Sequence, residues 1–248
     1  CLEQFCRKHN IVPAEQFAKS KSSCEEATLV KNLVCDTSRI MHNSFCLGGA
    51  DLDQCFDRSN APIAGVAARA HHISLPSTRL MLSTMQHMQY FVKTGFGVAK
   101  SPTFGGTPGD LLMSLGQGSG AAPMGMRNII TLADNAYKRL GHGINMESAI
   151  SARIFLLAAI IYVDDTDLLH WAKFYGISDD SFVSNIQEAT DDWGMNVQAT
   201  GGAIKPAKSF WYLLSWKFIR GVPTLKPKQE YHHLSITVPQ PDAPPARI

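Results

Sequence analysis

The chain has 248 residues, of which 45% are hydrophobic, and a formal net charge of +2 at pH 7. This length allows one large domain or two small ones, and the composition excludes an intrinsically disordered or low-complexity protein. The charges are unevenly spread. Residues 58–109 carry five Lys or Arg and no acid, residues 164–192 carry eight acids, and residues 200–229 carry six Lys or Arg and no acid. An acidic cluster flanked by two basic segments is typical of a metal site bordered by surfaces for a polyanion, although ordinary charge patchiness is the alternative.

All six cysteines lie within the first 55 residues, and no two have the Cys-x-x-Cys spacing of zinc ligands. The sequence contains no recognisable secretory signal. We therefore expect reduced thiols and an intracellular protein, either cytoplasmic or nuclear. Because the chain begins with Cys and ends in a Pro-rich stretch, we also expect it to be a segment of a longer protein.

The first half of the chain is predicted to be mainly helical. Helical periodicity indicates helices over residues 25–42, 61–72 and 77–93, the last with a Met-rich face that we assign to the core. Short strands are predicted over residues 45–52 and 94–99, and a Gly/Pro loop over residues 101–110. A long helix is expected to begin near Pro123 and to reach about Leu140.

An apolar run over residues 154–163 stops at the adjacent carboxylates of Asp164 and Asp165. Ten apolar residues are too few to cross a bilayer as a helix, which needs about 20, so the run is predicted to be a buried strand. Residues 168–171 would return as its hairpin partner. Two like charges at a hairpin tip repel each other unless a cation neutralises them, and hard carboxylate oxygens suit Mg²⁺. The alternative is a solvated Asp-rich turn.

Beyond the hairpin, the pattern predicts a helix over residues 180–193, capped near Ser178 or Asp179. Residues 204–216 are strand-like, and residues 231–238 are predicted to add a last strand. Helices that alternate with a few antiparallel strands indicate an α+β domain.

Four motifs stand in fixed order along the chain: Asp51 with Phe56, Gln117-Gly118 with Ala122-Pro123, Tyr162-Val163-Asp164-Asp165, and Gly202 to Ser209 with Lys208. Together they resemble the palm of the reverse transcriptases. In that family a strand-end aspartate binds metal, and an aromatic residue five positions later stacks under the incoming sugar and blocks a ribose 2′-OH. Asp51 and Phe56 have this spacing. Asp53 is the rival metal ligand, and spacing favours Asp51. The alternative for Phe56 is a plain core residue.

The second motif is Gln117-Gly118 followed by Ala122-Pro123, which resembles the family's Gln-Gly turn with a Ser-Pro three residues later. In the family this turn supports the template strand and the nascent base pair. Glycine allows close approach of the backbone, and the helix N-terminus that follows can face phosphate. Ala122 stands where the family usually has Ser.

The third motif is Tyr162-Val163-Asp164-Asp165. The fourth runs from Gly202 to Ser209, and its Lys208 matches a lysine that lies near the triphosphate in the family. Lys205 stands where the family often has Asn. The alternative for either lysine is a plain solvated residue, and we favour it for Lys205. The aromatic residues 210–213 resemble the hairpin that grips the primer strand.

The resemblance implies an α+β fold, the right-hand polymerase palm with an antiparallel sheet and packed helices. It places the palm at residues 45–218, after partial fingers or a helical segment at residues 1–44. Residues 219–248 would form a strand and a Pro-rich tail toward a missing thumb. The residues around the motifs are most similar to those of reverse transcriptases of retroelement type.

The implied activity is RNA-directed DNA synthesis, in which dNTPs are added to a primer 3′-OH on an RNA or DNA template. Asp51, Asp164 and Asp165 would hold two Mg²⁺, with Mn²⁺ as a substitute, and Lys208 would offset charge on the pyrophosphate. No membrane partner is expected, and the oligomeric state stays open. The alternatives are a catalytically inactive nucleic-acid-binding fragment or relic and, less favoured because of Phe56, an RNA-directed RNA polymerase.

Overall fold

The computed structural model describes residues 5–6, 8–9, 11–19, 22–102, 104–106, 109, 111–116, 119–148, 150–172, 178–226 and 232–233. The helices in these ranges are α1 (Cys24–Ile40), α2 (Cys55–Arg58), α3 (Ala61–Ala70), α4 (Leu75–Gln86), α5 (Ala122–Arg139) and α6 (Asp179–Ala199), with a 3-10 turn at Pro206–Lys208. The strands are β1 (Phe45–Ala50), β2 (Lys93–Thr94), β3 (Gly97–Val98), β4 (Ile144–Glu147), β5 (Ile154–Leu157), β6 (Ala159–Tyr162), β7 (Asp165–Trp171), β8 (Phe210–Leu214), β9 (Trp216–Ile219), β10 (Val222–Leu225) and β11 (His232–His233).

The central sheet has five strands in the order β11-β8-β1-β7-β6, and every pairing between them is antiparallel. Three further strand pairs, β2-β3, β4-β5 and β9-β10, form separate two-stranded ribbons. Helices together with an antiparallel sheet confirm the predicted α+β class. The middle strand β1 contacts both β7 and β8 and therefore fixes where their ends lie.

The two faces of the central sheet pack into different parts of the core. On one face Ala50 of β1 and Leu168 of β7 pack with residues of α5 and α6, including the fully buried Trp193. On the other face Phe45 of β1 packs with Val34 of α1. This split follows from strand alternation, which sends neighbouring side chains to opposite faces. Helices on both faces hold the sheet in place.

Two predicted elements between residues 77 and 99 were wrong in extent. Helix α4 ends at Gln86 instead of Lys93, and His87 caps it through its backbone N–H. Of the predicted Met face, Met81 and Met85 are buried as expected, but Leu80 is 70% exposed. The single strand predicted over residues 94–99 is a hairpin, in which β2 and β3 pair around Gly95 and Phe96.

The apolar run over residues 154–163 is two strands rather than one. It breaks at Ala158, so that β5 pairs with β4 in a ribbon while β6 pairs with β7 in the central sheet. The backbone N–H of Leu169 donates to the Ala158 carbonyl, which fixes the break. Only β6 is the predicted buried strand, because Ile154 and Phe155 of β5 are exposed.

Toward the C-terminus the helix prediction is confirmed and the strand predictions only in part. Ser178 caps α6 by accepting a hydrogen bond from the Ser181 backbone N–H, and the helix runs six residues beyond the predicted end. The segment at 204–216 contains a 3-10 turn before β8 begins. Of the strand predicted over residues 231–238, only His232–His233 lies inside the described residues, where it pairs with β8.

The described part of the chain contains five cysteines, and all of them carry free thiols: Cys6, Cys24, Cys35, Cys46 and Cys55. Within the same residues, no helix combines the length and the apolar character that crossing a membrane requires.

Replacement of two glycines by alanine should change the stability of the fold in opposite directions. At Gly143 the backbone has φ +106°, and an added Cβ would lie 2.8 Å from the Ala158 Cα, so Gly143→Ala is expected to destabilise the fold by about 1–3 kcal/mol. At Gly194, inside α6, the nearest atom would be Ile204 Cδ1 at 3.6 Å, an ordinary contact. Gly194→Ala should therefore stabilise the fold by about 0.5–1 kcal/mol. Urea unfolding of both variants checks this pair, and destabilisation by Gly194→Ala or tolerance of Gly143→Ala would contradict it.

A buried carboxylate on α5 predicts a distinct pH dependence. Asp134 is fully buried, its Oδ2 lies 2.8 Å from Lys138 Nζ, and Lys138 also pairs with Glu15. Burial raises the pKa of Asp134 from 3.8 to about 6, although Lys138 opposes the shift. Because the folded state then binds the proton more tightly than the unfolded state, this carboxyl favours folding at low pH. That contribution is lost as the pH rises through about 6.

Urea unfolding of the wild type and Asp134→Asn at about pH 4 and pH 7 measures this effect. The wild type should lose about 2–3 kcal/mol relative to the variant between the two pH values. Asp36→Asn, at an exposed position of α1, serves as the control for an Asp-to-Asn substitution. A difference for Asp134→Asn that is independent of pH, or of opposite sign, would contradict the assignment.

Candidate active site

Strand register brings the aspartates at 51 and 165 to the same end of the sheet. Strands β1 and β7 pair from Phe45↔Trp171 to Ala50↔Thr166, so one further step sets Asp51 opposite Asp165. Strands β6 and β7 pair up to Tyr162↔Asp165, which leaves Val163 and Asp164 as a two-residue turn. The predicted hairpin with its two aspartates at the tip is therefore present, except that Asp165 is already the first residue of β7.

The turn itself is conformationally unusual. Val163 has φ +62°, in the left-handed region that a β-branched residue rarely adopts. Such strained residues are found preferentially at functional sites, where the surrounding structure holds them in place. The strain at Val163 is consistent with a hairpin whose tip is shaped to present Asp164.

The carboxylate of Asp165 interacts electrostatically with the charged groups around it. Partial burial raises the pKa of Asp165, and the negative charges of Asp164, Asp51 and Asp167 raise it further, while Lys31 opposes the shift. Lys31 forms an ion pair with Asp167. The end of the β1–β7 pair is therefore a place of concentrated negative charge.

A cavity of about 300 Å³ lies at this end of the sheet. Its lining includes residues from the β6–β7 turn, from the β1–α2 connection, from α2, and from the 3-10 turn with the residue before it: Asp51, Asp53, Phe56, Asp57, Asp164, Lys205 and Lys208. A thiol in the lining, Cys55, has its pKa raised to about 12 by burial and by the charges of Asp164, Asp57 and Asp51. This thiol is therefore protonated and inert at neutral pH.

The backbone joins the end of β1 to the segment that carries the lysines. The Lys205 N–H donates to the Asp51 carbonyl at 2.8 Å, and the Asp51 N–H donates to the Ser209 hydroxyl at 3.1 Å. As a result Lys208 Nζ lies 3.4 Å from Asp51 Oδ2, with its side chain 64% exposed. Ser209 is the last residue of the fourth motif, but nothing in the sequence indicates that its hydroxyl accepts a hydrogen bond from Asp51.

The rival aspartate at position 53 is already paired with cations. Asp53 lies 3.0 Å from Arg58 and 3.8 Å from Lys205, in both cases between carboxylate oxygen and side-chain nitrogen. Within the described part of the chain, Asp51 forms an ion pair with Lys208 alone, whose side chain is mostly exposed. The preference for Asp51 over Asp53 as a metal ligand stays a prediction. The structure gives Lys205 a partner that a simple solvated lysine would lack.

The position of Phe56 does not decide between the two interpretations made from the sequence. It lies in α2, packs partly buried against the core and also lines the cavity beside Asp51. Gln117 and Gly118 lie outside the described residues. The flanking structure matches the expectation for a turn that enters a helix, since Gly116 has φ +70° and α5 begins at Ala122 with Pro123 in its first turn.

The donor atoms of the site suit a hard divalent cation, because they are carboxylate oxygens. Among the residues that the structure describes, no three His, Cys, Asp or Glu side chains lie close enough together to form a ready-made metal site. Asp165 is exposed and Asp164 half-exposed, so both side chains have room to turn toward a bound ion. The chemistry of the residues fits Mg²⁺, while their present arrangement is more open than a finished coordination shell.

The fold is similar to the reverse-transcriptase-like fold of telomerases, which are among the solved structures that match this chain. Telomerase of Candida tropicalis with a fragment of telomeric RNA has a TM-score of 0.55 at 11% identity, over 98% of this chain and 38% of that chain. The Candida albicans enzyme with telomeric RNA gives a TM-score of 0.52 at 11% identity, over 96% and 37%. Apo telomerase of Candida tropicalis without its C-terminal domain gives 0.51 at 12% identity, over 95% and 43%.

These similarities concern the fold, because the identities are very low. The chain spans roughly two fifths of the length of the telomerase chains it matches. No protein-family model matches the sequence, and no curated protein matches it.

Proposed function

We propose that this chain is the palm of an RNA-directed DNA polymerase of retroelement type, with the palm at residues 45–218. It would add dNTPs to the 3′-OH of a primer on an RNA or DNA template. The observation that carries the proposal is the convergence of Asp51, Asp164 and Asp165 at one end of the β1–β7 pair, next to Lys208. The retroelement assignment is supported by the residues around the motifs alone.

The three aspartates would hold the Mg²⁺ ions in this proposal. When bound, the ions lower the pKa of the attacking hydroxyl and stabilise charge on the phosphoryl group. The carboxylates position these charges and exclude competing anions from the centre of the site. Lys208, exposed at the cavity rim, would stabilise the negative charge of the departing pyrophosphate or donate a proton to it.

The remaining predicted residues would choose and position the substrates. The Phe56 ring, in the cavity wall beside Asp51, would stack under the incoming sugar and leave no room for a ribose 2′-OH. Gln117 and Gly118 would support the template. The two basic segments at residues 58–109 and 200–229 would contact the phosphates of the template and primer without sequence preference.

A second candidate is a nucleic-acid-binding fragment that does not catalyse. One observation favours it, namely that no ready-made group of three metal-binding side chains is found in the described part of the chain. The two candidates differ in what they predict for nucleotide incorporation and agree on nucleic-acid binding.

Primer extension on an RNA template tests the proposal, with Mg²⁺ and either dNTPs or rNTPs. We expect extension with dNTPs only, and Phe56→Ala should admit rNTPs by removing the ring that blocks the 2′-OH. Extension with rNTPs alone would support an RNA polymerase instead. No extension by a folded protein that binds the primer–template would favour the non-catalytic candidate.

A further inference from the structure

A β-hairpin projects from the domain between α4 and α5. Its strands β2 and β3 pair through Lys93↔Val98 and Thr94↔Gly97, and the Ala99 N–H donates to the Val92 carbonyl. The Thr94 hydroxyl accepts a hydrogen bond from the Phe96 N–H at 3.2 Å, which shapes the tip. We call residues 91–100 the arm.

The arm is exposed along its whole length. Every residue from 91 to 102 is exposed, and the ring of Phe96 at the tip is fully exposed. Phe91, Val92 and Val98 are each about half-exposed. A two-stranded hairpin that buries none of its apolar side chains gains little from forming them. A cluster of exposed apolar groups of this kind marks an interaction surface.

One face of the arm combines aromatic and basic side chains. Cross-strand partners share a face, so Lys93 and Val98 lie together, and one more step of the alternation adds Phe91 and Lys100. In the described part of the chain no acidic side chain forms an ion pair with Lys93 or Lys100. The arm also lies inside the acid-free segment at residues 58–109. Its charge therefore suits an anionic partner.

The base of the arm contacts the segment that leads into the predicted template turn. Tyr90 and Phe104 close the base through stacked rings with centroids 4.8 Å apart. The Tyr90 hydroxyl and the Met88 methyl fill the space beside Gly116, where an added Cβ would meet each of them at 2.6 Å. Gly116 directly precedes Gln117. The arm is thus anchored next to the place where a template strand is expected.

We propose that the arm binds a single-stranded segment of nucleic acid. Phe96 and Phe91 would stack on unpaired bases, and Lys93 and Lys100 would contact phosphates. The inference deepens the proposed function and rests on its nucleic-acid partner, but not on catalysis. A single strand is favoured over a duplex because stacking on a protruding ring requires a base whose face is free.

Fluorescence anisotropy with the whole chain tests this inference. The probes are a labelled mixed-sequence single strand and a blunt duplex of the same length. Phe96→Ala should weaken binding of the single strand about tenfold, since one stacked base is lost, and leave duplex binding unchanged. Lys93→Gln with Lys100→Gln should lower the slope of log affinity against log salt by about 1.4 for the single strand.

The β4–β5 turn offers matched controls. Ile150 is fully exposed and Arg153 is exposed, so Ile150→Ala and Arg153→Gln remove the same kinds of group from another hairpin. Both variants should bind the single strand like the wild type. Circular dichroism melting shows whether each variant keeps the fold, which the exposure of Phe96 leads us to expect.

The outcomes separate this inference from the proposed function. Unchanged single-strand binding by Phe96→Ala, an equal loss for the duplex, or no strand binding by the wild type would overturn the inference. Unchanged single-strand binding by Phe96→Ala would indicate instead that the exposed rings contact a protein partner. If the wild type fails to extend a primer while Phe96→Ala still weakens strand binding tenfold, the failure concerns the proposed function alone.

Discussion

Asp164→Asn is expected to abolish nucleotide incorporation and to leave the fold and primer–template binding intact. The substitution removes one negative charge from the carboxylate cluster and keeps the shape of the side chain. Asn is also well tolerated in turns, so the β6–β7 hairpin should persist. Losing a ligand that helps to stabilise phosphoryl charge should cost several kcal/mol of transition-state stabilisation, or at least about a thousandfold in rate.

The assay compares initial rates of primer extension with primer–template affinity and with the melting temperature. Asp36→Asn is the matched control, because Asp36 lies on the exposed side of α1, where it pairs only locally with Arg39. It should extend primers at the wild-type rate. Synthesis by Asp164→Asn at a rate near that of the wild type would contradict the assignment of Asp164 to the catalytic centre.

Trp193→Ala is expected to produce the largest loss of stability. Trp193 is fully buried, and its ring meets Tyr137 edge-on, with the centroids 5.5 Å apart and the planes at 79°. The Tyr137 hydroxyl lies 2.7 Å from His170 Nε2 on β7, so the pair ties α5 and α6 to the strand that begins at Asp165. Deleting a buried Trp typically costs about 3–5 kcal/mol.

Urea unfolding measures the effect, and Met195→Ala on the same helix is the control. The Met195 side chain is 58% exposed, so its removal should change the free energy of unfolding by no more than about 0.5 kcal/mol. If both variants had the same stability, the core between α5, α6 and β7 would not be packed as described.

The elements that could be predicted from the sequence are those with local signals. The helix over residues 25–42 was anticipated from its apolar spacing, and α6 from a serine cap at Ser178. Pro123 marked the start of α5, and the apolar run that stops at Asp164 and Asp165 marked the hairpin. These signals act within a few residues of one another, so a single sequence contains them.

The predictions that were wrong concern elements whose limits depend on partners distant in the sequence. The break at Ala158 arises because β5 pairs with β4 and β6 pairs with β7, and a continuous apolar run contains no sign of two different sheets. Helix α4 ends at Gln86 without a Gly or Pro nearby, so periodicity alone extended it. The exposed arm was missed for the same reason, because its first residues were assigned to the helix.

The residues of the candidate site could be proposed from the sequence, but the contacts between them could not. The spacing of Asp51 and Phe56, and the adjacent Asp164 and Asp165, were visible as motifs. The hydrogen bond from the Asp51 N–H to Ser209 joins residues 158 positions apart, and only the fold reveals it. The same holds for the ion pair between Arg58 and Asp53.

Binding of Mn²⁺, measured by electron paramagnetic resonance, most directly tests whether Asp51, Asp164 and Asp165 form one cation site. The protein is held with a primer–template whose primer lacks its 3′-OH and with a dNTP, so that no turnover occurs. If the three aspartates form one site, Asp51→Asn, Asp164→Asn and Asp165→Asn are each expected to weaken Mn²⁺ binding at least about tenfold. Asp53→Asn, whose carboxylate is paired with Arg58, should bind Mn²⁺ like the wild type. Equal Mn²⁺ binding by the wild type and all three site variants, or a loss confined to Asp53→Asn, would contradict a shared site.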